Sequence, residues 1–112
     1  MIRLQALVPA KVAENSQTTQ YTVPTGVTTI IDKFTATNYS GTAASLSVNL
    51  VTLADTAGNQ NLITKTKTLQ PSETYTFPEL VGQILEGGDF ISTLASAATS
   101  ISIRVSGREV TS

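Results

Sequence analysis

The sequence predicts an all-β fold, an antiparallel β-sandwich or jelly roll of about eight strands with at most one short helical turn. Three observations predict it. Short segments alternate apolar and polar residues at period two, as half-buried strands require. Glycine and proline separate them at spacings of roughly ten residues, the rhythm of sandwiches and barrels. Serine and threonine fill 30 of 112 positions while charged residues make up 13% of the chain, about half the usual ~25%. Threonine is β-branched and covers the solvent side of a pleat without a charge. No stretch long enough for a crossover helix has helical periodicity, so a βαβ unit has no place.

Ile2, Leu4, Ala6 and Val8 alternate with Arg3, Gln5 and Leu7 in a first strand, expected to end at Pro9, which has no amide proton for a ladder. Tyr21 and Val23 close a short second strand at Pro24. Val23-Pro24-Thr25-Gly26-Val27 reads as a type II turn, proline second and glycine taking the positive φ. A third strand follows over Val27–Asn38, with Ile30, Phe34 and Ala36 sharing a face, and runs into the loop Asn38-Tyr39-Ser40-Gly41-Thr42. In the fourth, Leu46, Val48 and Leu50 oppose Ser45, Ser47 and Asn49; Val51 and Leu53 then break the alternation, which predicts two-sided burial or a bulge.

A polar turn over residues 55–61 leads to Leu62–Leu69, where Thr64, Lys65, Thr66, Lys67 and Thr68 leave little to bury. Lysines on such a strand mark a sheet edge guarded against stray pairing, or one that meets an acidic partner. Pro71-Ser72-Glu73 turns the chain into Tyr75 and Phe77. Residues 78–85 hold the one expected helical turn, since proline is tolerated in a first turn and Gly82 can end it. Glu86-Gly87-Gly88-Asp89 is a glycine turn before Phe90–Ala95. The last strand, residues 100–110, puts Ile101, Ile103 and Val105 inward and Ser102, Arg104 and Ser106 outward, with a bend at Gly107. Lacking repeats and linkers, residues 1–112 are expected to form one domain.

The chemistry is defined by what is missing. The chain has no histidine, the usual general base and metal ligand near neutral pH, and no cysteine, so thiol nucleophiles and disulfides are excluded. Glu79, Glu86 and Asp89 lie close in sequence, but carboxylates beside glycines read as solvated turn residues before they read as a catalytic pair or a calcium site. Asp32, inside the third strand, needs an arginine or backbone amide if it faces the core and is otherwise exposed. Gly87-Gly88 neither opens a helix nor precedes a phosphate-binding lysine. Seven basic and eight acidic residues nearly cancel and are scattered, so no nucleic-acid surface is expected. Gln5 and Pro9 interrupt the first apolar run before it forms a signal-peptide core, and no stretch approaches the ~20 apolar residues of a membrane helix.

The reading is therefore of a protein without catalytic residues, cofactor, metal or small-molecule substrate, made in the cytoplasm and working by packing on other proteins. A charge-poor exterior resists association weakly, which suits a surface covered in use, although an ordinary threonine-rich sandwich has the same composition. Tyr39, in its loop, is the expected exposed aromatic and a candidate interface anchor, or else a rim residue with no partner. Lys65, Lys67, Arg104 and Arg108 join it as candidate interface residues. The first strand and the segment after Gly107 are the expected free edges. A carbohydrate-binding module is disfavoured, since the chain has no tryptophan.

Four stretches resemble small structural proteins of tailed bacteriophages: residues 23–31, the loop 38–41, the segment Phe77-Pro78-Glu79-Leu80-Val81-Gly82-Gln83-Ile84-Leu85-Glu86-Gly87-Gly88-Asp89, and the closing residues 101–110. The resemblance implies a virion component, a β-sandwich or jelly-roll decoration (cement) protein that binds the major capsid protein from outside. Similar small sandwiches occur in necks, tails and fibres. It also implies self-association as a dimer or trimer.

Overall fold

The structure, a computed structural model, describes residues 1–111. Nine antiparallel strands form two sheets: β1 (Ile2–Val12), β2 (Thr18–Thr22), β3 (Val27–Asn38), β4 (Ala44–Val51), β5 (Leu62–Leu69), β6 (Thr74–Thr76), β7 (Ile84–Leu85), β8 (Phe90–Ala95) and β9 (Ile101–Thr111). One sheet runs β1-β9-β3-β6, with β7 also on β3; the other runs β2-β8-β4-β5. Apart from the β4–β5 hairpin and the β6–β7 connection, each link crosses from one sheet to the other. This interleaving is a jelly roll, as the strand grammar predicts. The sheet that holds β1 is sheet A and the one that holds β2 is sheet B.

The two inner faces enclose one core. Phe34 and Phe77 meet edge to face at 4.9 Å, Tyr75 and Phe77 do so at 4.7 Å, and Leu46, Val48, Ile91, Ile101, Ile103 and Val105 fill the space around them. Ile101, Ile103 and Val105 are buried while Arg104 is exposed, so β9 alternates as expected.

Several expectations are corrected. Pro9 does not end β1, which continues to Val12 through bulges between Ala6 and Val8 and between Val8 and Lys11. Proline is tolerated there because β1 is an edge strand with an interrupted ladder. In β3 the register slips between Ile31 and Lys33, so Ile31 rather than Ile30 joins Phe34 in the core. Val51 is buried and Leu53 exposed. The turn after β2 is Pro24-Thr25-Gly26-Val27, with Val27 N donating to Pro24 O at 3.2 Å and Gly26 at φ +80°, so proline is its first residue. Residues 78–83 make successive turns that return to β3 through Gly82 N to Ile31 O, and the single helical turn lies instead at Asn59–Asn61. The segment after Gly107 is no edge: Val110 pairs with Ile2 on one side and Thr28 on the other. Gly107 is required there, since a Cβ would stand 2.3 Å from Ile30 O.

Candidate assembly surface

Paired residues of antiparallel strands put their side chains on the same face. Across the outer face of sheet A this gives the rows Ile2–Val110–Thr28 and Leu4–Arg108–Ile30–Ile84. Leu4 is 77% exposed, Ile2 63% and Ile84 61%, with Ile30 and Val110 half-buried between them. Toward the other end the same face carries Ser106 beside Lys33, then Arg104–Thr35–Thr76 and Ser102–Thr37–Thr74, the last two threonine hydroxyls 2.9 Å apart. One bare face thus has an apolar end and a hydroxyl end.

A single ion pair sits within the apolar end. Arg108 Nη2 and Nε donate to both oxygens of Asp32 at 2.9–3.2 Å, with both side chains 40% exposed. The β3 bulge pushes Asp32 out to this pair. Beneath it, Tyr21 on β2 reaches across the sandwich, its hydroxyl bonded to Glu109 and Thr29, both buried on the inner face. Burial, with the Glu109 carboxylate beside it, pushes the Tyr21 phenol up to about 12.

The edge of this face is open along β1. The Met1 ammonium donates to Thr111 O at 2.7 Å and Thr111 N to Met1 O at 2.9 Å, so these two residues form a hydrogen-bonded pair. Antiparallel ladders alternate, so Arg3 and Gln5 point their main-chain groups at β9, while those of Ile2, Leu4 and Ala6 point away from the sheet. The edges at β5, β6 and β7 are guarded. Strand β5 carries Lys65 and Lys67, a Thr66 at φ 45° and two register shifts against β4; β6 and β7 have three and two residues. The lysine-bearing strand is therefore an edge, as the sequence indicates.

The five sequence-derived candidates are not brought together. Arg104 and Arg108 share the outer face of sheet A. Lys65 is exposed on β5, while Lys67 lies over the Tyr75 ring at 4.4 Å, tying the edges of the two sheets. Tyr39 is 51% exposed in the loop at the far end of β3. Ile2 and Leu4, which alternate with polar residues along the first strand, are the most exposed members of the bare face. Alternation shows which residues share a face, and it does not show whether that face is covered.

The turn carboxylates serve the backbone and neighbouring hydroxyls. Asp89 accepts from Leu53 N and Glu86 N, Glu86 from the Thr28 hydroxyl, and Glu79 from Thr64. Among the described residues no three His, Cys, Asp or Glu side chains gather as a metal site, and no helix is long and apolar enough to cross a membrane.

No family model and no curated protein matches the sequence. Two solved structures share the fold. One is from the Bacillus endospore appendages, described as a family of disulfide-linked pili: 12% identity, TM-score 0.56, covering 98% of this chain and 88% of that one. The other is from infectious bursal disease virus, Gx strain: 10% identity, TM-score 0.59, covering 99% of this chain and 33% of that one.

Proposed function

We propose that this chain is a non-enzymatic virion structural protein, a capsid decoration (cement) protein that binds the outside of the major capsid protein shell and stabilises it. The observation that carries this reading is the bare outer face of sheet A, where Ile2, Leu4 and Ile84 stand uncovered, with Ile30 half-buried between them, around one ion pair. Contiguous exposed apolar residues rimmed by polar ones are characteristic of docking surfaces. The fold supports it: the two solved structures compared above belong to assemblies, one a pilus and one a virus.

The mechanism is thermodynamic linkage. A protein that binds only the assembled lattice adds its binding free energy to that lattice, and many modest contacts accumulate over the shell. Ile30 and Ile84 supply apolar area, and the threonine end of the same face offers hydroxyls together with Lys33 and Arg104, which call for acidic groups on the shell. The pilus likeness favours a second reading, a tail, neck or fibre module.

One experiment separates the two. Particles assembled without this protein should burst at lower temperature, adding back the purified chain should restore them, and Ile84→Asp should restore nothing while remaining folded. Equal robustness with and without the protein overturns the decoration reading. Recovery of the chain only in the tail fraction supports the second.

A further inference from the structure

We infer that two copies of this chain pair through the first half of β1, antiparallel about a two-fold axis, extending sheet A from one copy into the next. The register follows from which main-chain groups are free. Ile2, Leu4 and Ala6 direct their amides and carbonyls outward, and only these three can form hydrogen-bonded pairs with a second β1. A two-fold axis at Leu4 sets Leu4 opposite Leu4 of the second copy and Ile2 opposite Ala6, giving roughly six main-chain hydrogen bonds.

The alternatives fail for stated reasons. Sliding the axis to Arg3 puts two guanidinium groups directly opposite one another. Sliding it to Gln5 brings Ile2 onto Val8, beyond the Ala6/Val8 bulge. With the axis at Leu4, pairing ends at Leu7, so Pro9 is never asked for the amide proton it lacks.

The inner side of the strand supplies an independent observation. Gln5 Oε1 is buried and has no hydrogen-bond partner. Arg3 is exposed and makes no side-chain hydrogen bond or ion pair among the described residues. In this register Arg3 of the second copy stands directly opposite Gln5, a donor facing an orphaned acceptor, twice over by symmetry. Pairing also joins the apolar ends of two bare faces into one surface across the axis. The inference deepens the assembly reading by naming a partner, a second copy, and does not depend on shell binding.

Cysteine scanning tests it, because the natural chain has none. Hydrogen-bonded antiparallel pairs place Cα atoms about 5.5 Å apart, within disulfide reach. The purified chain should sediment at twice 11.8 kDa. Oxidised Leu4→Cys should run as a covalent dimer. Ile2→Cys and Ala6→Cys should each stay uncrosslinked alone and crosslink when mixed. A chain that remains monomeric up to millimolar concentration overturns the pairing, and so does Ile2→Cys crosslinking to itself as readily as Leu4→Cys. Circular dichroism of each variant reports retention of the fold, and the particle assay above is unaffected by either outcome.

Discussion

The two outer faces of the sandwich are built from the same serine- and threonine-rich alternation, yet they end differently. On sheet B the β4–β5 connection folds back over the strands: Asn49 donates to Gly58 O at 3.0 Å and to Asn61 Oδ1 at 2.7 Å, and Gln17 bridges Asn49 and Ser92. Asn49 is 3% exposed. On sheet A no loop among the described residues covers Leu4 and Ile84, with Ile30 half-buried between them. The polar end of sheet B's outer face that the loop covers is satisfied within the single chain, although Leu94 further along stays 37% exposed, whereas the apolar end of sheet A's outer face is left to another molecule.

The contrast can be broken from either side. The largest effect is expected on the covered face. Asn49→Ala removes both side-chain hydrogen bonds that hold the loop down, although Gly58 O still accepts from Asn61 N and Asn61 Oδ1 from Gly58 N, and each lost bond costs about 0.5–1.5 kcal/mol. The urea midpoint should fall with an unchanged slope, and an unmoved midpoint would mean the loop is not held there.

Next comes the tie beneath the bare face. The Tyr21 phenol ionises near 10 when unfolded and near 12 when folded. The neutral form is thus favoured by folding, and the unfolded chain holds fewer protons between these values. Its stabilisation is complete below pH 10 and is lost as pH rises through about 12. Thermal melts should fall steeply across this window, and Tyr21→Phe should remove the part of that fall due to this residue. Identical alkaline profiles for the two proteins would place Tyr21 outside the tie.

The smallest effect belongs to the exposed ion pair. Asp32→Asn should change stability by no more than ~1 kcal/mol and should matter less as salt rises. A larger, salt-insensitive loss would show that the apolar end is far more desolvated than its exposure indicates.

Much of this was legible in the letters. Strands β3, β4, β5, β8 and β9 stand where alternation put them, because a period-two pattern bounded by glycine, proline or polar turns has few other uses. Lys65 and Lys67 identified an edge, and Tyr39 an exposed ring. The assembly surface was not legible, for three physical reasons. Ile2 and Leu4 alternate like core residues, and only the pairing with β9 shows that their side faces outward. The Asp32 bulge inverts the sides of Ile30 and Ile31, and a single extra residue leaves no compositional mark. The last strand reads as a terminal edge, but the jelly roll inserts it between β1 and β3.

The reciprocal hydrogen bonds between Met1 and Thr111 have a practical consequence. Anything fused at either position leaves from the same rim, beside Ile2 and Val110, so an affinity handle at one end or the other shadows the same apolar surface. A handle inserted at Gly41, where the loop is exposed and no atom crowds the backbone, would sit roughly 30 Å away along β9 and leave that rim clear.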